Sequence, residues 1–139
     1  MSAVVTGWGD TTWGGSQHAI VMREVTVRTQ STEQCQGQYG PNKFHESMIC
    51  AETAGKSPCE GDSGGPLAFL GQNDSYSQVG VVSWMEKGCA EMGYPAVFTR
   101  VTSFLDWIRE RMTPRVQGQG KILSHPHTHS QLKVCNATL

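Results

Sequence analysis

The chain has 139 residues, 37% of them hydrophobic, and a formal net charge of −1. That length sustains one domain with a real core and hardly two. No run of about 18 apolar residues offers a membrane span, and the scattered charges of both signs give no surface for nucleic acid or membrane.

In chain order, residues 3–8 form a short apolar run stopped by Gly9-Asp10, which predicts a strand and a turn. Residues 21–28, "VMREVTVR", carry β-branched residues in partial alternation and predict a second strand. "STEQ" at 31–34 is a cap-like start to a short helix before Cys35. Further strands are predicted at 47–51, 66–71, 78–84 and 95–101. Thr102 or Ser103 then caps "FLDWIRERM", where Phe104, Trp107, Ile108 and Arg111 share one face at helical spacing before Pro114 closes the helix. Six strands in about 100 residues with a terminal helix predict an all-β fold, a small antiparallel barrel. The domain unit is 1–112, and residues 113–139, polar and without sustained periodicity, read as a flexible tail.

Cysteines stand at 35, 50, 59, 89 and 135, without the paired CxxC spacing of a zinc site, so the reading is disulfides. Sequons at Asn73 and Asn136 offer glycosylation sites and agree with a secreted, extracellular protein. Yet "MSAVVTGWGD" has no basic start followed by an apolar core, so it is no signal peptide and the sequence reads as a piece of something longer.

The sharpest signal is "CEGDSGGPL" at 59–67. At average residue usage, GDSGGP arises by chance in roughly one chain of this length in 100,000. Together with "TGWGD" (6–10), "MICAE" (48–52), "GVVSW" (80–84), "GCA" (88–90), "YPAVFTRV" (94–101) and "FLDWI" (104–108), it makes the chain resemble the chymotrypsin/trypsin family of serine proteases, peptidase S1. The resemblance is to the C-terminal half of that family. It implies that the barrel is the six-stranded Greek-key second barrel of a chymotrypsin-like fold.

What the resemblance implies for the site is specific. Ser63 is the nucleophile, and the backbone N–H groups of Gly61 and Ser63 form the oxyanion hole. The carboxylate of Asp62 pairs with a new N-terminus released by activation cleavage. Cys35 pairs with Cys50 and Cys59 with Cys89, closing loops that contribute roughly 3 and 4 kcal/mol. A third bridge usual in the family, between positions near Ala3 and Phe69, is absent, and Cys135 is left over. Ser57 lies at the floor of the specificity pocket. With no Asp there, trypsin-like selection of Arg or Lys is not expected. Met85 and Ala96 narrow the slot, so small or medium apolar residues are expected before the scissile bond. Glu60 belongs to the same substrate-binding set, and Ser83, Trp84 and Met85 supply the backbone edge that pairs with extended substrate.

The triad's His and Asp lie, by resemblance, on the N-terminal barrel, and this sequence begins after it. Neither His18 nor His45 fits the role. His125, His127 and His129 read as a solvated polar tract rather than a metal site, and no metal or cofactor is expected. The family's activation motif, a basic residue before an Ile-Val start, is not seen. The expected partners are polypeptide substrates, the missing N-terminal barrel and protein inhibitors. The expected function is that of a serine endopeptidase, present as a fragment or short isoform that is inactive alone. The alternative is a non-catalytic homologue acting as a binding or decoy module.

Overall fold

The computed structural model describes residues 1–15 and 17–112. Six strands close an antiparallel barrel in the order β1-β2-β3-β6-β5-β4. They are β1 (Ser2–Gly7), β2 (Arg23–Thr29), β3 (Met48–Glu52), β4 (Pro66–Leu70), β5 (Tyr76–Trp84) and β6 (Ala96–Arg100). Helix α1 (Thr32–Tyr39) lies between β2 and β3, and α2 (Leu105–Met112) follows β6. None of the helices in the described residues is long and apolar enough to cross a membrane.

Alternation along the strands builds two cores. Ala3, Val5, Val27, Ile49, Ala51, Leu67, Val82, Ala96 and Phe98 point inward and fill the barrel. The intervening residues Cys50 and Val97 point outward and meet Cys35 and Phe44 in a second cluster, flanked by Tyr39, Met48 and Trp84. Strand β6 is therefore buried on both sides through Ala96, Val97 and Phe98. The cystine Cys35–Cys50, with Cα atoms 6.0 Å apart, fastens α1 to β3 across the outer cluster.

Helix α1 starts as the "STEQ" signal predicts. The Ser31 hydroxyl accepts from the Gln34 amide and the Gln34 side chain accepts from the Ser31 amide, a complete capping box. The start of α2 differs from expectation. Val101–Phe104 form a 3-10 turn with Arg100 as its N-cap residue and no side-chain cap, so neither Thr102 nor Ser103 caps the helix. Pairing also trims β2, which begins at Arg23 and not at Val21. Its partner β1 ends at Gly7, which sits opposite Arg23, and the ladder has nothing to pair with beyond that point. Strand β5 starts two residues earlier than its apolar content signals, because Tyr76 and Ser77 pair with Leu70 and Phe69 of β4. Residues 113–139, the expected tail with Cys135, Asn136 and the three tail histidines, lie outside the described residues.

Candidate active site

The loop between β3 and β4 carries most of the motif residues. Cys59 bonds to Cys89 with Cα atoms 5.2 Å apart, which ties this loop to the one after β5. Within it the Asp62 amide donates to the Cys59 carbonyl at 3.0 Å, and the Gly65 amide to the Asp62 carbonyl at 2.9 Å. Gly64 and Val82 continue the connection into the barrel, the Gly64 amide donating to the Val82 carbonyl at 2.9 Å. Between these bonds, the backbone amides of Gly61 and Ser63 donate to nothing among the described residues. Two free N–H groups on one tight loop make a ready receptor for a developing negative charge.

Gly61 makes that loop possible. Its φ is +89°, and a Cβ there would stand 2.9 Å from the His18 ring. Ser63 is exposed and makes no side-chain hydrogen bond. Its hydroxyl has no imidazole within hydrogen-bond reach among the described residues.

Asp62 is half-buried and turned back under the loop. Its carboxylate accepts from the Gly9 amide at 2.7 Å and from the Cys59 amide at 2.9 Å. Gly9 is glycine because the Asp62 carboxyl carbon would lie 2.5 Å from any Cβ. Two backbone amides thus hold the carboxylate.

Ser57 is also fully engaged. Its hydroxyl accepts from the Ala90 amide at 2.6 Å, donates to the Pro58 carbonyl at 2.8 Å and lies 4.0 Å from the Met85 sulfur. Met85 therefore does stand beside Ser57, while also packing on the barrel core. Ala96 faces the barrel interior and is 2% exposed. Glu60 is exposed, and its carbonyl accepts from the Asp10 amide at 2.7 Å.

Strand β5 bulges between Val82 and Trp84, which pair with the adjacent Phe98 and Val97, so Ser83 is left without a partner and exposed. The Trp84 ring meets Tyr39 edge-on at 5.1 Å, and the Lys43 ammonium lies 5.4 Å from its centre.

Asp10 and His18 were not legible as site residues. They pair across the loop that links β1 to β2, with His18 Nδ1 3.2 Å from Asp10 Oδ1, and that places the imidazole against Gly61. The Gly9-Asp10 turn marks where this loop leaves β1, but nothing in residues 11–22 marks where it returns. Asn73 lies in a 3-10 turn, Gln72–Asp74, between β4 and β5. Among the described residues no cluster of three or more His, Cys, Asp or Glu could hold a metal ion.

The family model described as Trypsin matches residues 1–108. The chain belongs to the trypsin family. It is 44% identical over 110 residues to trypsin-1 of Astacus astacus, covering 78% of this chain and 45% of that protein. It is 39% identical over 118 residues to the serine proteinase stubble of Drosophila melanogaster, covering 81% of this chain and 15% of that protein. Among solved structures, neuropsin, a serine protease of mouse brain, superposes with a TM-score of 0.69 at 29% identity, covering 80% of this chain and 48% of that one. This trypsin-family chain thus spans about half or less of the length of these relatives. Its closed antiparallel barrel with a C-terminal helix is that of the chymotrypsin-like fold.

Proposed function

We propose that this chain is the nucleophile-bearing half of a secreted serine endopeptidase, with residues 1–112 as its barrel unit and 113–139 as a tail. The observation that carries this reading is the pair of free amides, Gly61 N–H and Ser63 N–H, flanking an exposed Ser63. In the complete enzyme, Ser63 Oγ attacks the scissile carbonyl while its proton passes to an imidazole supplied by the other half. The carbonyl oxygen becomes an oxyanion held by the two amides. The tetrahedral centre collapses, the amine leaves with the proton, and an acyl group remains on Ser63. Water, deprotonated by the same imidazole, then releases the acid.

Substrate lies extended along the Ser83–Met85 edge, and Ser57, a neutral pocket residue, favours small or medium apolar side chains before the cut. Asp62 is the acceptor for an activating ammonium. The two cystines and the Asn73 and Asn136 sequons support an extracellular setting.

A fluorophosphonate probe tests the reading. The 139-residue chain alone should stay unlabelled, because nothing described takes the Ser63 proton. The same sequence joined to a family half that carries His and Asp should be labelled, and Ser63→Ala should abolish that signal. Strong labelling of the short chain, or none of the joined one, overturns it. A second reading is a non-catalytic binding module, which the Ser63 hydroxyl, exposed and without a side-chain hydrogen bond among the described residues, also allows. A stoichiometric partner recovered from the native fluid with the joined chain inert would establish that reading instead.

A further inference from the structure

Cys59 to Asp62 form a four-residue turn, closed by the Asp62 amide donating to the Cys59 carbonyl at 3.0 Å. Gly61, its third residue, has a φ of +89°, while Glu60 is not among the residues of positive φ. That combination is a type II turn. A type I turn closes with the same hydrogen bond but has its central peptide, here Glu60–Gly61, turned over. The second residue then has ψ about −30° rather than about +120°, and the third φ about −90° rather than about +80°. Glycine takes either sign of φ at little cost. The Gly61 N–H belongs to that peptide, and in the type II form it donates to nothing among the described residues. In the type I form the Glu60 carbonyl takes its place, and an oxygen there repels an oxyanion.

One hydrogen bond selects between the two forms. The Glu60 carbonyl accepts from the Asp10 amide at 2.7 Å, so the oxygen of the peptide faces the loop between β1 and β2 and its N–H faces away. Turning the peptide over sets the Gly61 N–H against the Asp10 N–H, donor to donor, and leaves both without that bond. Asp10 is held in turn by His18. The two residues form an isolated antiparallel bridge, and beside it the Ala19 amide donates to the Trp8 and Gly9 carbonyls at 3.1 and 3.2 Å. The Asp10 side chain is 4% exposed and its Oδ1 accepts no hydrogen bond among the described residues; His18 Nδ1, 3.2 Å away, is the basic group paired with it. The same imidazole stands 2.9 Å from where a Cβ of Gly61 would be. One ring therefore lies against both the residue that pins the peptide and the residue that carries its N–H.

We propose, on the reading of Gly61 N–H as an oxyanion-hole donor, that His18 and Asp10 are positioning residues for the oxyanion hole. Together they keep the Asp10 amide on the Glu60 carbonyl and, through it, the Gly61 N–H turned toward the substrate. Without the pair the bridge loosens and the turn samples both forms. Substrate lies along the Ser83–Met85 edge in either form, so the loss falls on the transition state and not on binding. A competent form reduced to about one molecule in ten lowers the rate about tenfold.

Two measurements test this, one of them indifferent to activity. In the 139-residue chain, hydrogen exchange followed by NMR should find the Asp10 amide protected. His18→Ala should quicken that exchange at least about 10-fold while the amides of β5 keep their rates, which separates local loosening from lost global stability. The second measurement uses the chain joined to a family half that carries His and Asp. Per active site titrated to completion with fluorophosphonate, His18→Ala should lower kcat about 10-fold or more and leave KM within about 2-fold. A peptide boronic acid, whose tetrahedral adduct on Ser63 sets an oxygen between the two amides, should weaken by the same factor as kcat. Asp10→Ala keeps its backbone N–H and should still match His18→Ala, the double variant losing no more than either alone. Folding is not at risk, since the His18 side chain is 67% exposed and Asp10 Oδ1 makes no hydrogen bond. An inert joined parent ends the endopeptidase reading, and the Asp10 exchange rate then decides alone whether His18 pins the turn. Exchange at Asp10 unchanged by His18→Ala, a raised KM with kcat intact, or additive losses in the double variant overturns the proposal.

Discussion

At the scale of single residues, the nucleophile loop separates a side chain that chemistry needs from one that folding needs. Ser63 is exposed and bonds to nothing, so Ser63→Ala should shift unfolding stability by no more than about 0.5 kcal/mol. Gly61 is the reverse. Alanine there meets both a φ of +89° and the His18 ring at 2.9 Å. Gly61→Ala should therefore cost about 1–3 kcal/mol, read as a lower urea midpoint with an unchanged slope. A Gly61→Ala chain as stable as the parent would mean that the loop relaxes freely, and with it the two free amides. The identity of both residues was plain from GDSGGP alone. The engagement of Asp62 by Gly9 and of Gly61 by His18 was not, because contacts spanning 53 and 43 residues leave no local pattern.

Among the elements, the strands were legible where alternation coincides with burial, as in Ala3 and Val5 or Ile49 and Ala51. Their ends were not, since Arg23 and Tyr76 owe their strand state to partners on β1 and β4. Helix α1 was readable from its cap, yet its most consequential residue is at the other end. The Tyr39 hydroxyl donates to the Pro95 carbonyl and the ring packs on Trp84. Burial, and after it the charges of Glu86, Glu52 and Tyr94, push its pKa up to about 12 from the usual 10. The sign follows from proton counting. Between those values the unfolded tyrosine has released its proton and the folded one keeps it, so stability falls as pH rises. The contribution is whole below pH 10 and gone above about 12. Denaturation midpoints of the parent should drop across this window more steeply than those of Tyr39→Phe, and parallel curves would place the burial of the hydroxyl in doubt.

For the molecule as a whole, the notable surface is apolar. Phe104 and Trp107 of the predicted amphipathic stripe are 41% and 59% exposed, and no residue of the 3-10 turn Val101–Phe104 or of α2 is buried. The stripe was readable in the sequence, but the sequence could not say what covers it, and no described element does. The isolated chain should self-associate at micromolar concentration and bind a hydrophobic dye, with Trp107→Ser reducing both. A monodisperse parent in light scattering, dark with the dye, contradicts this. The barrel itself is unevenly joined. β1 pairs with β2 along the whole of β1, from Ser2 opposite Arg28 to Gly7 opposite Arg23. The backbone ladders of this ribbon to the other four strands are short, Val4–Ala68 and Val5–Leu67 on one side and Arg28–Glu52 and Thr29–Ala51 on the other. Two short seams thus join a hairpin to a four-stranded sheet, and the hairpin is a unit that one molecule could lend to another. Hydrogen exchange should find the amides along those seams opening together and before those of β5 and β6. Any dimer that forms slowly and outlasts dilution should prove to have traded this hairpin, each copy closing its barrel with strands from its neighbour.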